Sequence, residues 1–403
     1  MGLRTSLVND DPRPAINLRR VINASGTMTA LGSSAAIPEA IGAASEILPW
    51  FVEVDDAQRM ASRAIAKATR AEAGFVTSSS SAGITLAIAA SMTGADLSRI
   101  SRLPASAGMR SGVVIQRRHL IDYGAPIEQA IRLAGARVVA VDRDKRARTP
   151  ELAAVFDDTI AAALYVVSHH CEQEGQIPLA AFAEAASRRN VPLIVDAASE
   201  YDLTGFIAAG ADIVIYSAHK FLGGLTAGIV AGRKHLVRAA YLQNGGIGRG
   251  MKVGKEGIVG AVAAVEAWSQ LDHSAHRRRE DERVSLWLRR LTGIDGVRVE
   301  LSPDPTKNPI TRLRVYVDPQ SGTTAWALAD VLAAGERPVA VRDDEIERGY
   351  FELDPCNLRD GEAEEVAHRL LEALIHARMT RKAAPAFAEW QANRLAARLA
   401  WPD

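Results

Sequence analysis

The stretch Ala211-Asp-Ile-Val-Ile-Tyr-Ser-Ala-His-Lys-Phe-Leu-Gly-Gly224 places a lysine directly after a short apolar run. The run at 213–215 predicts a buried strand, and Ser217 begins a turn that leads to a glycine pair. A lysine beside a buried strand must be paired or neutralised, because a buried charge is costly. One chemistry uses such an amine directly, to form a Schiff base with a carbonyl. Taken alone, Lys220 is more simply explained as a solvated loop residue.

A second apolar run, Pro192-Leu-Ile-Val-Asp-Ala-Ala-Ser-Glu200, ends in an aspartate upstream of this lysine. A carboxylate at the C-terminal end of a strand faces the crevice where open α/β sheets bind ligands. Asp196 is therefore a candidate site residue. The alternative, which the pattern supports equally, is a helix N-cap for the next segment.

A serine-rich loop lies further upstream, in Gly74-Phe-Val-Thr-Ser-Ser-Ser-Ser-Ala-Gly83, ahead of a helical run. Small residues before a helix leave its first N–H groups free, and hydroxyls add donors. Ser79, Ser80 and Ser81 can therefore hold a phosphate dianion. Alone, the loop is better explained as an ordinary N-cap.

Together and in this order, the three segments resemble the fold-type I pyridoxal-phosphate enzymes. The Ser-Ala-His-Lys version of the lysine segment resembles the class V aminotransferase and cysteine desulfurase branch. Three further stretches resemble the selenocysteine synthase-like (seryl-tRNA selenium transferase-like) group, which includes D-glucosaminate-6-phosphate ammonia-lyase. They are Val21-Ile-Asn-Ala-Ser-Gly-Thr-Met-Thr-Ala-Leu-Gly32, Ala71-Glu-Ala-Gly-Phe-Val-Thr77 and Gly246-Ile-Gly-Arg-Gly-Met-Lys-Val-Gly-Lys-Glu256. The similarity covers residues from about 20 to about 270.

The resemblance implies pyridoxal 5'-phosphate as cofactor and gives each candidate residue a role. Lys220 holds the cofactor as a Schiff base and then shuttles the substrate α-proton. Asp196 keeps the pyridine nitrogen protonated. The phosphate is expected to be held by hydroxyl and imidazole groups at Ser79, Ser80, Ser81, Ser217 and His219. This chain departs from the selenocysteine synthase-like pattern around the lysine, so the substrate cannot be transferred with the cofactor.

Two further candidate residues lie outside these three segments. His119 comes after the strand at 113–115, and the resemblance implies that it stacks on the cofactor ring, although a loop histidine is the simpler explanation without the family. Arg249 lies in the glycine loop 245–255, before a helical run. Its guanidinium suits a planar anion, either cofactor phosphate, substrate carboxylate or substrate phosphate. The alternative is a flexible linker with solvated charge.

The segment Ser168-His-His-Cys-Glu-Gln-Glu-Gly175 carries residues that could ligate a metal. Adjacent histidines point in different directions, and no helical i, i+4 pair completes a site. We therefore predict no metal here and favour a substrate-contacting loop.

The composition limits the class of protein. The 403 residues include 48 basic and 48 acidic side chains, so no net charge draws the chain to nucleic acid or membrane. Two cysteines indicate a reducing compartment, and no signal-like or membrane-spanning run is present. We predict a cytoplasmic enzyme with a small-molecule amino acid substrate, without nucleic acid or membrane partners.

Alternating strands and helices after Gly74 predict an α/β fold with a mostly parallel seven-stranded sheet, and a smaller α+β C-terminal domain. We predict an N-terminal arm at 1–35, a large cofactor-binding domain at 36–270 and a small domain at 271–403. In this fold an arginine of the small domain often binds the substrate carboxylate. The candidates are Arg312, Arg314, Arg342 and Arg359.

The preferred reaction is α,β-elimination from a small amino acid or amino-sugar acid, of the ammonia-lyase type. Racemisation, retro-aldol cleavage or transamination on the same scaffold is the alternative, followed by cysteine desulfuration with Cys356 as nucleophile. A cofactor-bound scaffold or regulator is the non-enzymatic alternative. Because fold-type I sites are normally completed by a second subunit, we predict a homodimer or higher homo-oligomer.

Overall fold

The structure is a computed structural model, and it describes residues 11–141, 152, 154–380 and 384–402. The chain forms two compact units. The larger unit comprises Ser34–Leu271 and Pro305–Asn308, and the smaller comprises Met1–Ser33, Asp272–Asp304 and Pro309–Asp403. The four-residue return at 305–308 was not predicted. No helix among the described residues is long and apolar enough to cross a membrane.

The larger unit is built on a seven-stranded sheet with the order β2-β8-β7-β6-β5-β3-β4. Pairings from β7 to β4 are parallel, whereas β8 runs antiparallel to both β2 and β7. Six of these strands are buried along their whole length, as a parallel sheet covered by helices requires, and the edge strand β4 is partly exposed. The strands are β2 (Ala73–Thr77), β3 (Gly112–Gln116), β4 (Arg137–Val141), β5 (Ile160–Val166), β6 (Leu193–Asp196), β7 (Ile213–Ser217) and β8 (Gly228–Gly232).

Helices cover both faces of this sheet. The helix that follows the serine loop is apolar all round and is almost wholly buried, which suits a position against the middle of a sheet. The described helices of the unit are α1 (Pro38–Ile47), α2 (Val54–Thr69), α3 (Ser80–Thr93), α4 (Leu97–Arg102), α5 (Ile127–Leu133), α6 (Leu179–Ser187), α7 (Gly205–Ala208), α8 (Lys234–Leu242) and α9 (Lys255–Gln270). The alternation of strands and helices also predicts a helix centred near residue 153, which lies mostly outside the described residues.

One predicted helix was too long. The apolar spacing predicts a helix from Asp55 to Ala73, but α2 ends at Thr69 and Ala73 already belongs to β2. Arg70 stops the helix, because its φ of 58° is left-handed. The helix is then tied to the strand by Gln58, whose side chain bonds both the N–H and the C=O of Val76 at 2.9 and 2.7 Å.

The smaller unit contains an antiparallel sheet with the order β12-β10-β9 and a parallel pair, β1-β11. Residues 22–24, within the predicted N-terminal arm, form β1, while residues 1–10 lie outside the described residues. The elements are β1 (Ile22–Ala24), β9 (Val297–Pro303), β10 (Thr311–Val317), β11 (Val339–Val341), β12 (Tyr350–Leu353), α10 (His273–Leu291), α11 (Ala325–Leu332), α12 (Glu362–Thr380) and α13 (Phe387–Leu399). The predicted α+β pattern of this part is present.

Candidate active site

The carboxyl ends of neighbouring strands meet at one edge of the large sheet. Asp196, the last residue of β6, is in register with Ile215 of β7. Ser217, the last residue of β7, is in register with Gly228, where β8 begins. Thr77, the last residue of β2, is in register with the same glycine. Open α/β sheets bind their ligands at this kind of edge.

Lys220 stands in the turn after β7, and hydrogen bonds fix the backbone of that turn. Ser34 Oγ donates to the carbonyl oxygens of His219 at 2.7 Å and Lys220 at 2.9 Å. Gly223 has a φ of +66°, and a Cβ there would lie 2.7 Å from an isoleucine side chain, so the turn requires glycine. The Lys220 amine donates to Oγ of Ser199 at 2.6 Å. The amine is thereby directed toward the segment that follows β6.

Asp196 is a buried carboxyl beside this amine. It is 7% exposed, and its Oδ1 accepts a 3.2 Å hydrogen bond from the Ala198 N–H. Burial raises the pKa of Asp196 to about 6, although the charge of Lys220 and the Ala198 N–H both lower it. A further cationic N–H donor would stabilise the ionised form of this carboxyl, because opposite charges and hydrogen-bond donors both offset desolvation.

The serine loop reaches the same edge. Ser79 is the N-cap of α3, and its Oγ accepts a 3.1 Å bond from the Ala82 N–H. Ser80 and Ser81 form the first residues of the helix. A Cβ on Gly228 would lie 2.2 Å from the Ser79 carbonyl oxygen, so a glycine is needed where β8 passes the loop. The positive end of α3 and its hydroxyls suit a phosphate dianion.

Ser217 and His219 form a polar pair next to this loop. Ser217 Oγ and His219 Nδ1 are 3.1 Å apart. Burial lowers the pKa of His219, the charge of Lys220 lowers it further, and a backbone hydrogen bond at Ala227 acts in the opposite direction. The imidazole is therefore neutral near pH 7 and offers one donor and one acceptor.

His119 lies at the carboxyl end of β3 but inside the core. Its Nδ1 accepts a 3.1 Å hydrogen bond from the Val166 N–H, and its ring meets Tyr165 edge-on, with centroids 4.5 Å apart. Burial lowers the pKa of His119 to about 4, opposed by a side-chain hydrogen bond to Gln176. A ring-stacking residue must present a face to the cavity, whereas His119 is 0% exposed. Its stacking role stays a prediction that this geometry does not support.

Arg249 is exposed on a short 3-10 turn, Ile247–Met251. The last carbonyl of that turn accepts hydrogen bonds from Thr77 Oγ1 at 3.2 Å and from the Ser78 N–H at 3.4 Å. The turn is thus tied to the residues directly before Ser79. Among the residues that the structure describes, the Arg249 side chain has no hydrogen bond or ion pair, so its guanidinium can take an anion.

Two residues at this edge of the sheet, Tyr123 and Ser199, were not predicted from the sequence to belong to the site. Tyr123 donates from its hydroxyl to Ser81 Oγ at 3.2 Å, and burial raises its pKa, with the charge of Asp196 adding to the effect. Ser199 receives the Lys220 amine. Their only sequence signals are a tyrosine in the turn after β3 and a hydroxyl three residues beyond Asp196.

The two cysteines are poor nucleophiles. Burial raises the pKa of the Cys171 thiol to about 12 and that of the Cys356 thiol well above its usual value. The reactive form of cysteine is the thiolate. The surroundings of Cys356 therefore do not support the alternative in which this residue is a desulfurase nucleophile.

The predicted substrate-contacting loop contains Ser168, whose Oγ accepts a 3.2 Å hydrogen bond from the His170 N–H.

The four arginine candidates of the smaller unit differ in how far they are paired. Arg312 is buried and bonded to Asp304 at 2.8 Å and Asp354 at 2.6 Å. Arg342 is also buried, and within the described part of the chain its Nη2 has no hydrogen-bond partner. Of the remaining two, Arg314 pairs with a carboxylate of β12 and Arg359 is exposed.

A mostly parallel sheet with a lysine after one strand, a carboxylate at the end of its neighbour and a hydroxyl-rich helix start at the same edge is the arrangement expected of the fold-type I pyridoxal-phosphate enzymes. A solved structure titled "Structure of D-Glucosaminate-6-phosphate Ammonia-lyase" matches with a TM-score of 0.82 and 36% identity, over 92% of this chain and 100% of that one. A NifS-like protein matches with a TM-score of 0.58 over 89% of this chain and 100% of that one; at 16% identity this likeness shows the fold alone. The predicted fold class is confirmed.

Sequence comparison identifies the family. The L-seryl-tRNA selenium transferase family matches residues 21–281. D-glucosaminate-6-phosphate ammonia lyase of Salmonella typhimurium is 38% identical over 363 residues, which are 90% of this chain and 97% of that protein. A 5'-C-glycyluridine monooxygenase-decarboxylase of a Streptomyces species is 33% identical over 358 residues, 88% of this chain and 90% of that protein. The chain belongs to the selenocysteine synthase-like family that includes this ammonia lyase, as predicted.

Proposed function

We propose that this chain is a pyridoxal-phosphate-dependent lyase that acts on a 2-amino-3-hydroxy acid, either an amino acid or an amino-sugar acid. The α-C–H bond and the β-C–OH bond break, and water leaves. Hydrolysis of the resulting imine consumes one water and releases ammonia. The net products are a 2-oxo acid and ammonia.

One observation carries this proposal. One edge of the large sheet brings together Lys220, Asp196 and the loop Ser79–Ser81. The chain that carries them is 38% identical to an ammonia lyase, and the match covers 97% of that lyase. Each residue alone has an ordinary structural explanation. Together they supply an amine, a carboxyl for a ring nitrogen and a cradle for a phosphate.

The residues present fit the cofactor chemically. The Lys220 amine would bind its carbonyl carbon and Asp196 its ring nitrogen. Hydroxyls and N–H groups at the start of α3 would hold the phosphate, with Arg249 as a charged partner from the neighbouring turn. Further contacts are proposed for Ser217, His219 and the hydroxyl of Tyr123. When bound, the cofactor supplies an electron sink for the carbanion at the substrate α-carbon.

Residues of the chain itself are proposed to carry out the proton transfers of the reaction. The Lys220 amine is proposed to remove the substrate α-proton, and Ser199 fixes the direction of that amine. The same ammonium is proposed to protonate the departing hydroxyl. His219 stays neutral near pH 7 because of burial and the charge of Lys220, so it orients groups by hydrogen bonding.

A second candidate function follows from the Streptomyces relative. Its name joins an oxygenase activity to a decarboxylation, and it is 33% identical to this chain over 90% of its own length. An oxidative decarboxylation of a glycine-like amino acid would need molecular oxygen and release carbon dioxide. This candidate is therefore separable from elimination by oxygen dependence.

The test is a screen of 2-amino-3-hydroxy acids, D-glucosaminate-6-phosphate included, with the cofactor-loaded enzyme in air and without oxygen. We expect equimolar ammonia and 2-oxo acid under both conditions, and no product with Lys220→Ala. Lys234→Ala, at an exposed lysine of α8, is the matched control and should be fully active. Carbon dioxide formed only in air would favour the second candidate, and no product in either condition would contradict both.

We propose further that the enzyme is a homodimer or higher homo-oligomer in the cytoplasm. Within the larger unit, Trp50 is 68% exposed and Phe51 is fully exposed, on the connection between α1 and α2. Lys255, at the start of α9, donates to the Trp50 carbonyl and lies 5.9 Å from the Phe51 ring centroid. Exposed adjacent aromatic side chains of this size favour burial against another subunit.

The proposed cytoplasmic location is supported by the free thiols of both cysteines, which agree with a reducing compartment.

A further inference from the structure

We infer that Asn308 is a positioning residue that sets the direction of the Lys220 amine through Ser199. This inference rests on the proposed role of Lys220. Asn308 belongs to Pro305–Asn308, the four-residue segment between β9 and β10 that is part of the larger unit. No motif in the sequence marks this segment.

The amide side chain of Asn308 holds the turn at 199–201, which receives the lysine amine, by two hydrogen bonds; we call this pair of bonds the clamp. Asn308 is 9% exposed, and its Nδ2 donates to the carbonyl oxygen of Ser199 at 3.2 Å. Its Oδ1 accepts a 2.9 Å bond from the N–H of Tyr201. One backbone acceptor and one backbone donor are thus satisfied by the two ends of one amide, which no aliphatic or carboxylate side chain can do. Ser199 is the residue whose Oγ accepts the Lys220 amine at 2.6 Å.

The clamp is itself held in place. Thr306 Oγ1 donates to Oε1 of Glu200 at 3.0 Å, and Asn308 Nδ2 also lies 3.2 Å from the Thr306 hydroxyl. Lys307 between them has a left-handed φ of 70°, which turns the chain so that both Thr306 and Asn308 can contact residues 199–201. The segment therefore meets all three residues from Ser199 to Tyr201.

The other side of the turn packs against the lysine segment. The Tyr201 ring lies 3.9 Å, centroid to centroid, from Phe221, the residue after Lys220. Asn308 thus holds the backbone of Ser199, which receives the amine, and that of Tyr201, whose ring packs against the residue next to Lys220. Without the amide, two backbone groups in a buried region lose their partners, and Ser199 is free to move away from Lys220.

The experiment measures the ionisation of the Lys220 amine in the cofactor-free chain. Competitive acetylation over a range of pH, read by peptide mass spectrometry, gives the pH midpoint at which Lys220 becomes reactive. Ser199→Ala should lower this midpoint by about one unit, a tenfold change in the ratio of ammonium to amine, because the ammonium loses the Ser199 hydroxyl as an acceptor. Asn308→Ala should lower it in the same direction. The double variant should match Ser199→Ala alone, since Asn308 acts through Ser199.

Three further variants separate positioning from a general loss of structure. Ser199→Thr keeps the hydroxyl and should retain the wild-type midpoint. Lys307→Ala, at the exposed residue inside the same segment, should do the same. If Asn308→Ala does not fold, Thr306→Val removes the support of the amide and should give a smaller downward shift.

A folded Asn308→Ala with the wild-type midpoint would overturn the inference, as would additive shifts in the double variant. Because the measurement uses the chain without cofactor, it is independent of the proposed reaction. If wild-type Lys220 fails to form a Schiff base with pyridoxal phosphate, the proposed function falls instead.

Discussion

The hydroxyl of Tyr123 lies 3.2 Å from Oγ of Ser81, so an aromatic residue from the turn after β3 meets the loop that begins α3. Burial raises the pKa of Tyr123, and the charge of Asp196 adds to this effect. The phenol therefore stays protonated near pH 7 and acts as a donor. Unlike His119, Tyr123 is only half-buried and has a surface to offer a bound ring.

We expect Tyr123→Ala to weaken the binding of pyridoxal phosphate more than Tyr123→Phe. Loss of one neutral hydrogen bond corresponds to about 1 kcal/mol, or roughly fivefold in the dissociation constant. Loss of the ring removes a contact surface as well and should bring the total to about a hundredfold. Spectroscopic titration of the cofactor-free chain measures both. Wild-type affinity in Tyr123→Ala would contradict a place for this residue at the cofactor.

Asp196→Asn should stabilise the cofactor-free chain at neutral pH while it impairs function. The folded-state pKa of about 6 lies above the unfolded value of 3.8. Between these values the folded chain binds more protons than the unfolded chain, so stability falls as the pH rises through this window. Asparagine does not ionise, so Asp196→Asn should have a free energy of unfolding about 2–3 kcal/mol above that of the wild type at pH values above 6. Below pH 4 the two should differ little.

Denaturant unfolding at pH 4 and pH 7.5 tests this expectation, with Asp202→Asn, at an exposed carboxyl of the same unit, as the control. Equal destabilisation of Asp196→Asn at both pH values would show that the carboxylate is well paired without cofactor. The stabilised variant should bind pyridoxal phosphate more weakly, because a neutral amide can accept a hydrogen bond from a protonated ring nitrogen but cannot form an ion pair with it.

His119→Ala should act on folding stability. The substitution leaves a cavity beside Tyr165 and a buried Val166 N–H without its acceptor. Together these effects should cost about 3–5 kcal/mol. His119→Asn, which keeps a carbonyl acceptor, should cost less. If thermal unfolding of the cofactor-free His119→Ala chain matched the wild type while cofactor affinity fell, the stacking role implied by the family would be restored.

Phe51→Ser should shift the enzyme toward monomers. Phe51 is fully exposed within its own chain, so the change costs little in the folding of one subunit. If a second copy covers the ring, its removal weakens association by about 2–3 kcal/mol. Light scattering over micromolar concentrations measures this, with Leu97→Ser, at an exposed residue of α4, as control. A wild-type chain that is monomeric throughout would contradict the predicted oligomer.

Much of the fold could be predicted because strong local patterns agreed with it. The apolar runs around Val113, Ile194 and Val214 all form strands inside the sheet, and the alternation with helices predicted the parallel sheet. The antiparallel direction of β8 could not be predicted, because a short buried run has the same composition in either direction. The end of α2 was missed because Arg70 carries no turn signal, although its backbone is left-handed.

The candidate site was predictable only where a local signal and the family agreed, as for Lys220 and Asp196. Ser199 and Asn308 lie more than a hundred residues apart, and their contact depends on tertiary structure. The burial of His119 depends on Tyr165 and Val166, which belong to a different strand. Its position after β3 was predictable, whereas the direction of its ring was not.

The central claim is that Lys220 anchors pyridoxal phosphate beside Asp196. The most direct test is the absorption spectrum of the purified chain with pyridoxal phosphate, before and after borohydride reduction, with peptide mapping of the reduced product. We predict a visible Schiff-base band in the wild type that is fixed by reduction onto Lys220 and has no lysine adduct in Lys220→Ala. A wild-type chain with no such band, or with the reduced adduct on another lysine, would contradict the account.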